Sequence, residues 1–330
     1  MTRKSHIALF ALSSVLTLFA ATSGAAQNRN AGSGRGFTIE TSPKLQAIMD
    51  EAARKTIAQF ASKNFTEKNL SITLIDVTDA KRPMQVSFRG GEPIYPASVV
   101  KLFYLAAAHR WLEDGKLKDT PELRRALRDM IVDSSNDATQ YIVDALTDTS
   151  SGVELPEAEM REWAFKRNAV NRYYAALGYT GINVNQKTYC EDSYGRERVY
   201  RGAKGENRNK LTTDATARLL MEIATSRSVT PERSRQMMEL LKRDPFAPAA
   251  NAGDADDQSR GFTGIAVPRG SRLWSKAGWT STTRHDAAYV ELPSGKRIIL
   301  VTFTTDFARE RQVVPTVARF VFERMNTAER

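Results

Sequence analysis

The chain has 330 residues, room for one large domain or two small ones, and a formal charge of +10 from 48 Lys and Arg against 38 Asp and Glu. Cys190 is its only cysteine, which excludes an intrachain disulfide and leaves the fold to be held by its core. The basic balance fits anionic envelope polymers or acidic substrates, or an ordinary solvated surface. Aromatic and basic residues are not interleaved as nucleic-acid binding would need, and the chain reads as exported.

Residues 1–26 carry the pattern of a secretory signal peptide. Arg3 and Lys4 precede an apolar run from Ile7 to Ala21, and Gly24-Ala25-Ala26 offers small residues for cleavage. The run is too short and wrongly flanked for a stable membrane span. Cleavage removes Arg3 and Lys4 and leaves +8 (10 − 2). No cysteine lies near the cleavage site, so no lipid anchor is expected there, and no later segment is apolar enough to cross a membrane. The expectation is a periplasmic or secreted monomer without stable membrane insertion. Residues 27–42, rich in Asn, Gly, Ser and Arg, read as a flexible lead, and 43–330 as one domain.

From Pro43 to about Lys63 the apolar residues Leu45, Ile48, Met49, Ala52, Ile57 and Phe60 fall at the spacing of an amphipathic helix. Leu70 to Val77 alternates as a strand, and Met84 to Phe88 reads as its hairpin partner. A helix opens at Pro96-Ala97-Ser98 and ends near Gly115. Thr120-Pro121-Glu122 has the cap and the proline of a helix start, for a helix running to about Val132. Ser134-Ser135-Asn136 breaks the pattern before a helix from Asp137 to Leu146, and Pro156 to Leu177 reads as one further helix. Gly178 to Lys210 holds five glycines and no sustained period, the mark of a long functional loop. Thr213 to Thr225 and Pro231 to Lys242 are helical, and Phe246 to Gly261 reads as an acidic exposed insertion. Leu273 to Trp279, His285 to Leu292 and Arg297 to Thr304 are strand-like, with Pro293-Ser294-Gly295 as a turn and Ala308 to Met325 as the closing helix. This order predicts an α/β (α+β) fold: an antiparallel sheet built from both chain ends, packed with helices, around an all-helical inserted subdomain.

Chemistry concentrates first at Ser98-Val99-Val100-Lys101. Residues three apart share a helix face, so a hydroxyl and an amine are placed to exchange a proton. The positive end of the helix favours an oxyanion at Ser98. An amine among Val, Phe and Leu is poorly solvated when charged, which lowers its pKa and suits it as a base toward the hydroxyl. Ser134-Ser135-Asn136 at a helix junction and Lys276-Ala277-Gly278 on a strand follow in that order. Ser134 and Asn136 are also the residue types that cap helices, and Lys276 is of the type that guards sheet edges. His109 and His285 read as structural. Trp111, Trp163 and Trp274 read as core. No metal-ligand spacing is present, and no cofactor is called for.

The three motifs in this order resemble the penicillin-recognising serine hydrolases, most closely the class A β-lactamases, from Pro43 to Met325. Thr212-Thr213-Asp214 before a helix and Arg284-His285-Asp286-Ala287 after the Lys-Ala-Gly strand also resemble that family. The resemblance implies that Ser98 is the acylated nucleophile and Lys101 its proton partner. Ser134 would relay a proton to the leaving nitrogen, and Asn136 would hold the substrate amide. Lys276 would supply charge for a carboxylate and for the Ser134 proton path, with Arg284 adding charge for the same carboxylate. The N–H groups of Ser98 and Trp279, beside Gly278, would form the oxyanion hole.

The chain departs from the family at four places. Ala277 lacks the usual hydroxyl, for which Thr280, Ser281 or Thr282 are replacements within reach in sequence. Ser135 replaces Asp. Only 36 residues (134 − 98) separate the first two motifs. The water-activating E-x-x-x-N pattern is missing from the loop. Counting back from Thr212, Glu197 is the best-placed base, with Glu191 and Lys101 as alternatives. The expected function is an exported acyl hydrolase that opens β-lactams through an acyl-enzyme on Ser98. The alternatives are a DD-peptidase or related cell-wall peptide or ester hydrolase on the same residues, or a β-lactam- or peptidoglycan-binding protein with weak turnover.

Overall fold

Five helices start on side-chain caps that local sequence supplies. Ser42, Thr120, Ser135, Thr212 and Thr230 each accept a hydrogen bond from the backbone N–H three residues on, at 3.0–3.3 Å. Each bond satisfies a donor that the helix itself leaves unpaired. Three of these helices also place proline in the first turn, where its missing N–H costs nothing. The structure is a computed structural model that describes residues 39–189, 192–247 and 256–326. The signal segment, most of the lead, Cys190, Glu191 and part of the acidic insertion lie outside the described residues.

In chain order the elements are α1 (Pro43–Phe60), β1 (Leu70–Asp76), β2 (Met84–Phe88), α2 (Lys101–Glu113), α3 (Pro121–Ile131), α4 (Asn136–Thr147), α5 (Glu157–Arg167), α6 (Ala169–Ala176), α7 (Gly195–Arg201), α8 (Thr213–Ala224), α9 (Pro231–Leu241), β3 (Lys242–Arg243), β4 (Arg272–Trp279), β5 (Thr283–Glu291), β6 (Arg297–Thr305) and α10 (Val313–Met325). The strands form one antiparallel sheet in the order β2-β1-β6-β5-β4-β3. Both chain ends contribute to it, as expected, and the helices from α2 to α9 intervene.

Strand periodicity divides the core in two. Ile72, Leu74, Ile298 and Leu300 face α1 and α10, meeting Leu45, Met49, Val317 and Phe322. Ile75, Ile299, Val301 and Phe303 face the other way, toward α2, α8 and the remaining helices. Helix α2 is apolar on every side: Leu102 through Ala108 are all buried. A helix without a polar face belongs in the interior, and here it carries the first motif between sheet and helical lobe.

Three expectations need amendment. The helix expected from Pro156 to Leu177 is two, because Asn168 leaves helical geometry between α5 and α6. The long loop contains the short helix α7. The insertion expected to be exposed is not so over its described end: Gln258 and Gly261 are buried and Asp256 is half-buried, because their polar groups pair with the site described below. Trp163 is buried as expected, while Trp111 and Trp274 are partly covered against the core.

His109 and His285 are both buried, and burial pushes each down to about 4. His285 is fully used: Nδ1 accepts from the Thr304 N–H at 3.1 Å, and Nε2 lies 2.9 Å from the Tyr95 carbonyl. It therefore ties β5 and β6 to the segment leading into Ser98. Neither ring nitrogen of His109 has a hydrogen-bond partner. Unfolded, each ring takes a proton near pH 6.5; folded, each resists it until about pH 4. The unfolded state thus binds more protons over that window, and stability present above pH 6.5 is lost as pH falls toward 4, by up to about 3 kcal/mol per ring. His109→Leu, which orphans no partner, should remove one such component. Urea unfolding from pH 7 to 4 should show a flatter decline in the variant, and parallel curves would contradict this account.

Candidate active site

Ser98 sits in a tight 3₁₀ turn, Ala97–Val100, that runs directly into α2 at Lys101. Ala97, just before it, has φ +46°, a left-handed backbone that costs a non-glycine residue about 1–3 kcal/mol and is tolerated only when its surroundings impose it. The His285 bond to Tyr95 and the buried apolar neighbours Val99 and Val100 supply that constraint. Ser98 itself stays half-buried, while the Lys101 behind it is buried.

The Lys101 amine reaches across to the second motif. Nζ donates to the Ser134 carbonyl and, at 2.9 Å, to Asn136 Oδ1, and it lies 3.2 Å from Ser134 Oγ. Ser134 also has a left-handed backbone, φ +57°, which turns its carbonyl and hydroxyl to the same amine. Ser135, next in line, is committed to capping α4. The second motif therefore divides its labour: Ser134 and Asn136 face the site, and Ser135 holds the helix.

The third motif meets the same hydroxyl from the sheet. Lys276 on β4 is fully buried, with Nζ 2.9 Å from Ser134 Oγ, 2.7 Å from Gln258 Oε1 and 2.7 Å from the Ala277 carbonyl. Burial first, then the nearby charges of Lys101 and Arg243, hold its amine well below the usual lysine range. The partners named include, for each amine, two that can only accept, plus Ser134 Oγ. A neutral amine offers two hydrogens and one lone pair; a charged one offers three hydrogens. One neutral and one charged amine satisfy these partners, with the Ser134 hydroxyl donating to the first and accepting from the second.

Gly278 brings β4 against the catalytic turn. A Cβ there would lie 2.8 Å from the Pro96 carbonyl oxygen and from the N atoms of Ser98 and Val99. No side chain fits without parting strand and turn, and the contact sets the Gly278–Trp279 backbone beside the Ser98 N–H. Arg284, paired across to Trp279, is buried; it donates to Asp256 at 2.7 Å and to the Gly261 carbonyl at 2.9 Å and stacks on Phe262.

The long loop is held by charge. Glu197 on α7 is fully buried; its Oε1 accepts from Arg167 at 2.6 Å and from Ser151 at 3.0 Å, with Lys187 at 3.6 Å. Asp144 on α4 closes the group, accepting from Arg167 at 3.1 Å and from Lys187 at 2.6 Å. Two cations and two carboxylates balance. The carboxylate expected to activate water is therefore placed at the hub of an ion cluster, one step from the site: Asn136 Nδ2 donates to the carbonyl of Tyr189, a loop residue whose phenol is pushed up by burial first and then by the Glu197 charge.

Sequence reasoning did not find Gln258, Asp256, Arg167, Lys187 or Asp144. Only the acidic run around Asp256 carried a signal, a charge cluster a short distance before a basic strand. Thr212-Thr213-Asp214 proves architectural: Thr212 caps α8, and Thr73 on β1 bonds Thr213 and Asp214 at 2.8 and 2.7 Å. No group of metal-ligating side chains occurs among the described residues.

A mixed α/β fold that gathers a Ser–Lys pair, a second serine and a strand-borne lysine defines a serine hydrolase of the penicillin-recognising kind. Residues 118–324 match the beta-lactamase enzyme family, more than half of the chain, and the chain belongs to that family. The matched span takes in Ser134, Asn136 and Lys276, while Ser98 and Lys101 lie before it. No curated protein matches the chain. Among solved structures it is similar to a β-lactamase from Sphaerobacter thermophilus, at 17% identity over 85% of this chain and 99% of that one, TM-score 0.61. It is similar also to PBP-A, at 15% over 87% and 98%, TM-score 0.58. A variant of the class A β-lactamase of the last common ancestor of Gram-negative bacteria matches at 17% over 86% and 99%, TM-score 0.57. At these identities the likeness is one of fold.

The ion cluster makes a direct prediction. Glu197→Gln leaves Arg167 and Lys187 facing one carboxylate in a dry site, and breaking a buried pair in this way costs about 3–5 kcal/mol. The urea midpoint should fall accordingly. A variant as stable as the parent would show that the cluster does not hold the loop.

Proposed function

We propose that the protein is an exported acyl hydrolase that opens β-lactam rings through a covalent intermediate on Ser98. The observation that carries this reading is the convergence of Lys101 and Lys276 on Ser134 Oγ, at 3.2 and 2.9 Å, beside a half-buried serine backed by Gly278. Neutral Lys101 takes the Ser98 proton as Ser98 Oγ bonds to the lactam carbonyl carbon. The Ser98 and Trp279 N–H groups stabilise the oxyanion. When the carbon–nitrogen bond breaks, Ser134 gives its proton to the ring nitrogen and recovers one from Lys101. Water then cleaves the ester and restores Ser98. Lys276 stays in place as the second amine on Ser134 and polarises its hydroxyl.

Hydrolysis of the ester needs a base, and Glu197 holds Arg167 and Ser151 on Oε1 while its Oε2 has no hydrogen-bond partner. Glu191 and Lys101 remain the other candidates for that step. A positioned base contributes about 10²–10⁴-fold to its step, so a carboxylate whose charge is engaged by buried Arg167 makes deacylation the slow half. The same engagement of Glu197 favours a second reading, a penicillin-binding DD-peptidase or related cell-wall hydrolase that β-lactams acylate and leave slowly. Export rests on the Arg3–Ala26 pattern, and no helix among the described residues is long and apolar enough to cross a membrane.

A chromogenic cephalosporin should give a burst of about one equivalent followed by slow turnover, and Ser98→Ala should abolish burst and adduct alike while leaving the melting temperature unchanged. Fast linear turnover without a burst would overturn the slow step. An adduct that persists in Ser98→Ala, or maps to Ser134, would overturn the nucleophile.

A further inference from the structure

The two cations expected to receive a substrate carboxylate are already engaged, and by one stretch of the chain. Gln258 and Asp256 come from the segment before β4. Gln258 Oε1 accepts from Lys276 Nζ at 2.7 Å and from the Ala277 N–H at 3.3 Å, while its Nε2 donates to the Val132 carbonyl at 3.0 Å. It therefore bridges β4 to the residue that ends α3, and it takes a donor of the motif lysine together with a strand N–H. Ser134 Oγ and the Ala277 carbonyl are its other partners. Two residues earlier, Asp256 lies 2.7 Å from Arg284 and 3.9 Å from Arg311.

Asp256 sits in a cavity of about 350 Å³ that Trp279, Thr280, Arg284, Arg309 and Arg311 also line. Three arginines and one carboxylate line this cavity, with Arg284 and Arg311 nearest the carboxylate, and Trp279 belongs to the expected oxyanion pair. The charge of this cavity suits an anion, and its geometry suits a planar carboxylate on a guanidinium. The chain supplies that carboxylate itself.

We propose that Asp256 and Gln258 tune the specificity of this site by standing in, on Arg284 and Lys276, for the carboxylate of a substrate, so that a ligand gains no affinity from a carboxylate of its own. The proposal rests on the acyl-serine reading above for the identity of the site, and not for the anion cavity itself. A ligand carboxylate must displace Asp256 from Arg284 and bring a second negative charge beside it. A ligand with a neutral amide in that position meets no such cost. Removing the Asp256 charge while keeping its shape takes the nearest carboxylate off Arg284 and reverses the preference.

The test uses equilibrium binding of N-phenylacetylglycine and its uncharged amide, N-phenylacetylglycinamide, to the whole protein by calorimetry. The parent should bind the acid no better than the amide. Asp256→Asn should bind the acid at least about tenfold tighter than the parent does, with the amide within about twofold, and added salt should erode the gain. Gln258→Ala, which keeps Asp256, should shift acid binding in the same direction by less, and it stands in if Asp256→Asn melts early. Unchanged or weaker acid binding in both variants, or no acid binding by any form, overturns the proposal. Acylation of Ser98 by penicillin is read on the same samples by mass. Acylation without the affinity shift sinks the specificity assignment alone; the shift without acylation sinks the hydrolase reading and leaves the anion site standing.

Discussion

Two lysine amines meet at one serine hydroxyl, and the site is built around that meeting. Lys101 arrives from the central helix, Lys276 from the sheet, and Ser134 from the junction of α3 and α4. Two like charges about a hydroxyl apart in a dry interior repel strongly, which is one physical cause of the lowered Lys276 amine, after burial itself. A single shared proton relieves the repulsion. The arrangement works only if its three elements cannot drift, and the fold answers that requirement. Helix α2 is buried from Lys101 through His109, Gly278 lets β4 press on the Ser98 turn, and the left-handed backbones at Ala97 and Ser134 are held by bonds on either side.

Polar groups away from the chemistry are arranged in the same manner. His285 uses both ring nitrogens to fix the approach to Ser98, and the Arg167–Glu197–Lys187–Asp144 cluster fixes the long loop above α4. A buried cluster of this kind adds little net stability over apolar packing but is costly to break, so its effect is to define one loop position. That loop reaches the site through the Tyr189 carbonyl on Asn136, and Asn136 in turn holds Lys101. Loop geometry and the state of the proton-sharing amines are therefore linked by two hydrogen bonds.

What was legible in the sequence follows from the range of the interactions. Helix starts were legible because their signals are local: Thr120 and Pro121 state the start of α3 within three residues, and Ser134-Ser135-Asn136 states the break before α4. The sheet was legible from alternation in Leu70–Val77 and Arg297–Thr304. The residues of the site were legible as motifs, and the structure brings Ser98, Lys101, Ser134, Asn136, Lys276 and Gly278 together. The partners of those residues were not. Gln258 carries no local mark, since its meaning depends on Lys276, eighteen residues away and on another element. Arg167 looks like one more charge on a densely charged helix until Glu197, thirty residues on, is folded against it. The break at Asn168 was hidden because charge and aromatics continue through it without a glycine or proline.

The central claim is that the two site lysines share one proton through Ser134, and it is tested by the titration of the lysine amines followed by NMR on selectively labelled protein from pH 5 to 11. One amine should titrate well below the ordinary lysine value near 10.5, and in Lys276→Ala, which leaves a single amine on Ser134, no lysine should titrate that low. If every lysine titrates near 10.5, both amines carry a full charge at neutral pH, and the proton-sharing account of this site is contradicted.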